Sequence, residues 1–156
     1  MSDSAANLII RPMTTADLDC VVAIAASLPH APHWPRSAYL DALNPESAPR
    51  RIALIASEAD SIVGFAIASL LAPQAELETI AIAPVSQRRG LGRRLFNALA
   101  DQLGQAGVRE VLLELRASNL PAHGFYRSLG FVQSGMRRAY YADPVEDAVL
   151  MRMQTR

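Results

Sequence analysis

The sequence predicts an α/β fold, and three observations carry that prediction. Segments with strand patterning alternate with segments of helical period along the chain, in the order strand, helix, helix, strand, strand, strand, helix, strand, helix, strand, strand. One segment, Gly90 to Gln105, spaces Leu91, Leu95, Leu99 and Leu103 four residues apart, the mark of a helix with one apolar face. The composition, 51% hydrophobic against 19% charged over 156 residues, suits a chain that buries a core and excludes a disordered, collagen-like or coiled-coil one. The length suits a single domain over 1–156, and no repeat, low-complexity tract or linker divides it.

Each element has a local cause. Leu8 to Arg11 is a short apolar strand. Thr14 and Asp17 form a capping-box pattern that starts a helix through Leu18, Val21, Val22 and Ala25. Pro29, Pro32 and Pro35 break the chain around His30, His33 and Trp34, and a short helix from about Ser37 to Leu43 ends before Asn44-Pro45. Ile52 to Ser57 and Ile62 to Leu71 are strands joined by a hairpin turn at Glu58-Ala59-Asp60-Ser61. Alternation returns from Glu76 to Ile82. After the leucine-spaced helix, ended by Gly104 and Gly107, Val108 to Leu115 reads as a buried strand. Leu120 to Leu129 is a helix closed by Gly130, and Phe131 to Tyr140 and Asp147 to Met153 are the final strands.

Charge and cysteine narrow the function. Fifteen basic residues balance fifteen acidic ones, so no global field draws the chain to nucleic acid or membrane, and any anion site must be local. Every cation is Arg, which removes mechanisms that need a lysine of the chain's own. The lone Cys20 forms no internal disulfide, and with three His there is no multi-thiolate zinc site, so no metal is expected. No stretch approaches a membrane span, and the polar start, Met1 to Asn7, lacks a signal-peptide pattern, so a cytoplasmic location is expected.

The most informative segment is Gln87-Arg88-Arg89-Gly90-Leu91-Gly92-Arg93-Arg94, at the head of the leucine-spaced helix. It opposes local stability, since glycine costs ~1 kcal/mol in a helix relative to Ala and cations at a helix N-terminus cost ~0.3 to 1 kcal/mol each. Both costs make sense if an anion sits there, because bare glycines let a phosphate reach free backbone N–H groups while arginines neutralise it. A plain strand-to-helix turn with solvated arginines is the alternative. The three-glycine dinucleotide pattern and the Lys-Ser/Thr of a Walker loop are both absent.

Gln87-x-x-Gly90-x-Gly92, following the strand Leu77-Glu78-Thr79-Ile80-Ala81-Ile82, resembles the acetyl-CoA-binding signature of the GCN5-related N-acetyltransferase (GNAT) superfamily. Leu113-Glu114-Leu115-Arg116-Ala117-Ser118-Asn119, Phe125-Tyr126-Arg127-Ser128-Leu129-Gly130-Phe131, Arg137-Arg138-x-Tyr140-Tyr141, Glu146-Asp147-Ala148 and His30-Ala31-x-x-Trp34 resemble its RimI-like branch, the ribosomal-protein-alanine N-acetyltransferases. The likeness covers most of the chain. It implies a sheet of about seven mostly antiparallel strands with a central splay, about four flanking helices, and acetyl-CoA as co-substrate. It also implies that backbone groups around Ile80, Ala81 and Ile82 bind the pantetheine arm, that the turn Gln87, Arg88, Arg89, Gly90, Leu91, Gly92 and Arg93 holds the pyrophosphate, and that Asn119 lies on the arm.

Acetyl transfer from a thioester needs a neutral amine, a polarised carbonyl and a proton for the thiolate. Glu114 is the candidate base. As a residue it is equally a solvent-facing strand position, and the resemblance selects it; Glu78, sharing a strand face with Glu76, is the reserve if water relays the proton. Tyr126 is the candidate acid, a phenol near ~10 able to protonate a thiolate near ~8.5. By composition alone it is a core aromatic, and His123, three residues earlier, reads as a surface residue. The resemblance implies that Trp34, Tyr140 and Tyr141 flank the acceptor, although on their own they read as packing residues.

The expected acceptor is a protein N-terminus, most specifically the N-terminal alanine of a small-subunit ribosomal protein. A small-molecule amine acetyltransferase and a non-catalytic acyl-CoA-binding module are the alternatives. No nucleic-acid partner is expected, and oligomeric state is not encoded in any motif.

Overall fold

The computed structural model describes residues 7–155. The polar start of the chain therefore lies, Asn7 apart, outside the described residues. The elements are β1 (Leu8–Pro12), α1 (Leu18–Ala26), α2 (Arg36–Leu43), β2 (Arg51–Glu58), β3 (Ser61–Leu71), β4 (Gln74–Ile82), α3 (Leu91–Gln105), β5 (Glu110–Arg116), α4 (Leu120–Leu129), β6 (Val132–Tyr141) and β7 (Glu146–Gln154). Short 3-10 turns at Thr15–Asp17 and Pro84–Ser86 precede α1 and α3. Every element expected from the sequence is present in the expected order. Gly104 differs: it lies inside the last turn of α3, and the stop falls to Gly107 at φ +91.

The seven strands form one sheet in the order β1-β2-β3-β4-β5-β7-β6, antiparallel at every junction except β4–β5. The β2–β3 hairpin turns through Ala59 and Asp60, both at positive φ, the geometry that matches strand twist in a two-residue turn. Each face of the sheet carries its own core. Leu91, Leu95, Phe96, Leu99 and Leu103 of α3 bury against Leu54, Ala66, Leu77, Val111, Leu113 and Leu115 on one face. Leu18, Val21, Ile24 and Tyr39 of α1 and α2 pack on Ile55, Phe65, Ile67 and Ala81 on the other. β3 contributes to both cores, which is why it reads as an unbroken apolar run.

Two irregularities position the site. β4 pairs with β5 only at Gln74↔Glu110, Ala75↔Val111 and Glu76↔Leu112, after which the strands separate while β4 stays with β3 and β5 stays with β7. Within β4, Leu77 pairs with Ala68 and Thr79 with Ile67, so Glu78 is the extra residue of a β-bulge. The bulge reverses the side-chain phase: Ala75 and Leu77 face the α3 core before it, Ile80 and Ile82 after it, and Ala81 goes to the opposite core.

The entry to α1 rests on Asp17, which is 5% exposed. Its carboxylate accepts from Arg11 Nη1 and Nη2 at 2.8 and 2.9 Å and from the Thr14 N–H at 2.8 Å. These bonds, the Arg11 guanidinium first, hold the carboxyl at about 2. A carboxyl whose folded pKa lies below its unfolded one stabilises the fold fully above pH ~4 and loses that contribution as pH falls toward ~2. Asp17→Asn should therefore lower unfolding free energy at pH 7 by ~1–2 kcal/mol, and the difference from wild type should shrink in urea titrations carried from pH 5 toward pH 3.

Candidate functional site

Where β4 and β5 part, their facing peptide edges lack a strand partner. The Ala83 N–H donates to Val63 of β3 at 2.8 Å. Peptide groups alternate in direction along a strand, so Ala81 shares that side and the N–H and C=O groups of Ile80 and Ile82 point into the gap. The Ile82 carbonyl accepts from Gln87 Nε2 at 3.0 Å, which ties the base of the gap to the following turn. Across the gap, the Ala117 N–H donates to Asp147 of β7 at 3.1 Å, so the peptide groups of Glu114 and Arg116 face β4. Ala81, grouped with its neighbours in the sequence reading, has a buried side chain and a backbone that belongs to the β3 ladder.

Below the gap stands the N-terminus of α3. Its first intrahelical bond runs from the Arg94 N–H to the Gly90 carbonyl, so the N–H groups of Leu91, Gly92 and Arg93 have no acceptor within the helix, and no side chain caps them. Gly90 adopts φ +78, a left-handed conformation that costs an L-residue ~1–2 kcal/mol. Gly92 lies close under its neighbours: a Cβ there would stand 3.1 Å from the Phe125 ring, which would have to give by a few tenths of an ångström, and at ordinary contact distance, 3.7 Å, from Ile82. The result is a bare amide cradle suited to a pyrophosphate.

The arginines of this turn divide in use. Arg89 donates both terminal nitrogens to Glu58 at 2.9 and 2.7 Å, so it pins the turn to the β2–β3 hairpin, and Glu58 is held below its ordinary range chiefly by that bond. Arg93 donates to the Ser128 carbonyl of α4 at 2.9 Å. Arg88 is exposed, at φ +66. Leu91 offers only its amide, its side chain being 1% exposed in the core. A groove of about 1100 Å³ runs from Arg93 along Asn97 and Asp101 of α3 to Met153, and neither Glu114, Tyr126 nor Ile80 lines it.

Three carboxylates gather at the fork. Glu114, one alternation beyond the last paired rung, has its Oε2 buried without a hydrogen bond, 3.5 Å from Arg137 Nε. Glu78 pairs with Arg51 Nε at 2.7 Å. Glu76 is pushed above its ordinary range by burial, then by the charges of Glu114 and Glu78. Glu76 and Glu78 are within electrostatic reach of one another, Glu78 being itself the bulged residue.

Tyr126 on α4 packs between Phe125 and Phe131, with ring centroids 5.4 and 5.6 Å away. Burial raises its phenol to about 12. The hydroxyl therefore stays protonated at neutral pH, and proton donation to a thiolate whose conjugate thiol lies near ~8.5 runs further uphill than the reference phenol suggested. Asn119 caps α4 by accepting from the Ala122 N–H at 3.3 Å, which leaves its side-chain amide donors for another partner. His123 is not a simple surface residue: its Nε2 is buried without a hydrogen-bond partner.

Trp34 stacks on buried Tyr39 at 5.1 Å and belongs to the α1–α2 core, while Tyr140 and Tyr141 meet at 5.1 Å near the β6–β7 turn. Neighbours in a regular strand point to opposite faces. The two tyrosines meet because the register jumps between Arg137↔Ala148 and Tyr141↔Glu146, with Ala139 at φ +48 and its N–H held by Asp147 at 2.8 Å. Tyr141 is raised by burial and then by the charge of Glu114, which places it within electrostatic reach of the candidate base. Among the described residues, no ring contact joins Trp34 to the tyrosine pair.

Sequence reasoning gave no site role to Glu58, nor to Arg137 and Glu146, which it read only as parts of family motifs. Each acts through a partner more than twenty residues away, and no local pattern marks such a pair.

A parted parallel strand pair above an uncapped glycine turn, within a seven-stranded sheet, is the arrangement that the resemblance to the N-acetyltransferases implies. The model of the acetyltransferase (GNAT) family matches residues 20–131, and the chain belongs to that family, which uses acetyl-CoA. A [ribosomal protein bS18]-alanine N-acetyltransferase of Salmonella typhimurium (strain LT2) is 45% identical over 96 residues, covering 60% of this chain and 65% of that protein. The chain thus spans just under two thirds of that relative in the match. A Bacillus subtilis (strain 168) protein given the same name provisionally is 30% identical over 142 residues, covering 91% and 92%. The crystal structure of the ribosomal-protein-S18-alanine N-acetyltransferase from Escherichia coli superposes with a TM-score of 0.83 at 33% identity, covering 95% of this chain and 94% of that one.

Replacing Gly92 tests the cradle. Gly92→Val should weaken coenzyme A binding ~10-fold or more by calorimetry, because the added side chain meets Phe125 and fills the approach to the amides. Gly107→Ala, remote from the cradle, should leave that affinity unchanged.

Proposed function

We propose that this chain, as one domain over 1–156, is a cytoplasmic protein Nα-acetyltransferase that moves the acetyl group of acetyl-CoA onto the N-terminal alanine of a small-subunit ribosomal protein. The observation that carries the proposal is the fork: the peptide groups of Ile80 and Ile82, free of any strand partner on that side and with only the Ile82 carbonyl engaged, by Gln87, face the β5 edge at Glu114 across a gap whose floor is a bare helix N-terminus. An extended thioester arm lying there takes those peptide groups as hydrogen-bond partners, the phosphates reach the amides of Leu91, Gly92 and Arg93, and Asn119 offers its amide donors to the arm.

In this scheme the acceptor nitrogen attacks the thioester carbon. The C–N bond forms as the C–S bond breaks, the proton lost by the amine goes to Glu114, and the sulfur receives one through Tyr126. Because the phenol lies at about 12, its first contribution is a hydrogen bond to the developing thiolate. An α-amine suits a single carboxylate base, since about a tenth of it is already neutral at pH 7 against under a thousandth of a lysine amine. The names of the relatives support the ribosomal acceptor, and Trp34, Tyr140 and Tyr141 are the residues to wall its slot. Among the described residues no helix is long and apolar enough to cross a membrane, and no cluster fit for a metal ion is present.

Turnover with an Ala-starting peptide, set beside polyamines and aminoglycosides, tests the acceptor class; preferential acetylation of the free amines would contradict it. Glu114→Gln and Tyr126→Phe should each slow acetyl transfer ~10²-fold or more while coenzyme A affinity holds. The wild-type rate should show no alkaline loss attributable to Tyr126 below pH ~10, because a group raised to about 12 keeps its proton until then.

A further inference from the structure

Arg116, the last residue of β5, spends both terminal nitrogens of its guanidinium on one segment. Nη1 donates to the Pro144 carbonyl and to Glu146 Oε1, both at 3.2 Å, and Nη2 donates to the Ala142 carbonyl at 3.2 Å. Its face lies 4.5 Å from the centroid of the Tyr141 ring. The second oxygen of Glu146 accepts the Ser118 N–H at 2.6 Å, at the start of the turn that leads to Asn119. One side chain thus fastens the β6–β7 turn to the end of β5. The segment it fastens holds Asp143 at φ +52, and non-glycine backbone of that kind persists only where surrounding bonds determine it.

We propose that Arg116 is a positioning residue for the acetyl acceptor: it clamps the Tyr141–Glu146 turn and so sets the wall of the acceptor slot beside Glu114, leaving the cofactor cradle to other groups. The inference rests on the acyltransferase reading above. A guanidinium is required because only a planar fork with several N–H groups can serve two carbonyls and a carboxylate at once while stacking on a ring; a lysine ammonium supplies a point charge. None of these contacts reaches Ile80, Ile82 or the Leu91–Arg93 amides, which predicts a selective effect.

The test is a steady-state comparison of wild type with Arg116→Ala, Arg116→Gln and Arg116→Lys, varying acceptor peptide and acetyl-CoA separately, with coenzyme A affinity by calorimetry. The acceptor KM should rise ~10-fold or more in all three, with the acetyl-CoA KM and coenzyme A Kd within ~2-fold of wild type. Added guanidinium, at concentrations that leave wild type unaffected, should restore the acceptor KM of Arg116→Ala alone. An unchanged acceptor KM, or equal rises in both KM values, overturns the proposal. Should Arg116→Ala fail to fold, Arg116→Lys and Glu146→Gln decide it by the same split. Should wild type turn over only small amines, the peptide reading fails, and the split measured with the preferred amine still decides the role of Arg116.

Discussion

The structure depends on one unmet requirement: two peptide edges that face each other and do not bond. Backbone N–H and C=O groups left without partners are costly. Here β4 and β5 pair for three rungs and then withhold the rest. The separation is built in from both sides. β5 remains bonded to β7 as far as Arg116, β4 remains bonded to β3 as far as Ile82, and the bulge at Glu78 bends β4 at the point of departure. Two well-ordered halves of the sheet thus hold apart a pair of edges suited to an extended guest.

Other features serve that gap. Gly92 lets the head of α3 approach Phe125 and Ile82, so the bare amides lie under the opening. Gln87 closes the base of the gap on Ile82, and Arg89 fixes the turn by a bond to Glu58, which accounts for a cation placed against the helix dipole without any need for it to touch the anion. On the other rim, Glu114 sits with one buried oxygen unsatisfied in a neighbourhood of Glu76, Glu78, Arg51 and Arg137.

Much of the fold was legible in the sequence because its signals are local. The leucines of α3, the Thr14–Asp17 box, the Asn44-Pro45 stop and the alternation in β5 each act within a few residues, and each element lies where those signals put it. Gly104 was misread because a glycine tolerated in a last helical turn looks the same in sequence as one that ends it. The site was legible where a motif has a backbone meaning, as at Gly90 and Gly92. It was not legible where function is shared between distant segments of the chain: the pairing of Arg89 with Glu58, the span of Arg116 over the β6–β7 turn, and the buried nitrogen of His123 arise only when the sheet is assembled. The bulge at Glu78 was hidden too, since Glu76 and Glu78 look regular by alternation and the extra residue exists only relative to β3.

Amide-resolved hydrogen exchange with and without coenzyme A addresses the central claim most directly. In the free protein the N–H groups of Ile80, Ile82 and Leu91–Arg93 should exchange quickly while those of Ala81 and Ala83, bonded to β3, are protected, and coenzyme A should slow the first set selectively. Ile80 and Ile82 already protected in the free protein, or indifferent to coenzyme A, would mean that the strands are closed and that the arm does not lie between them.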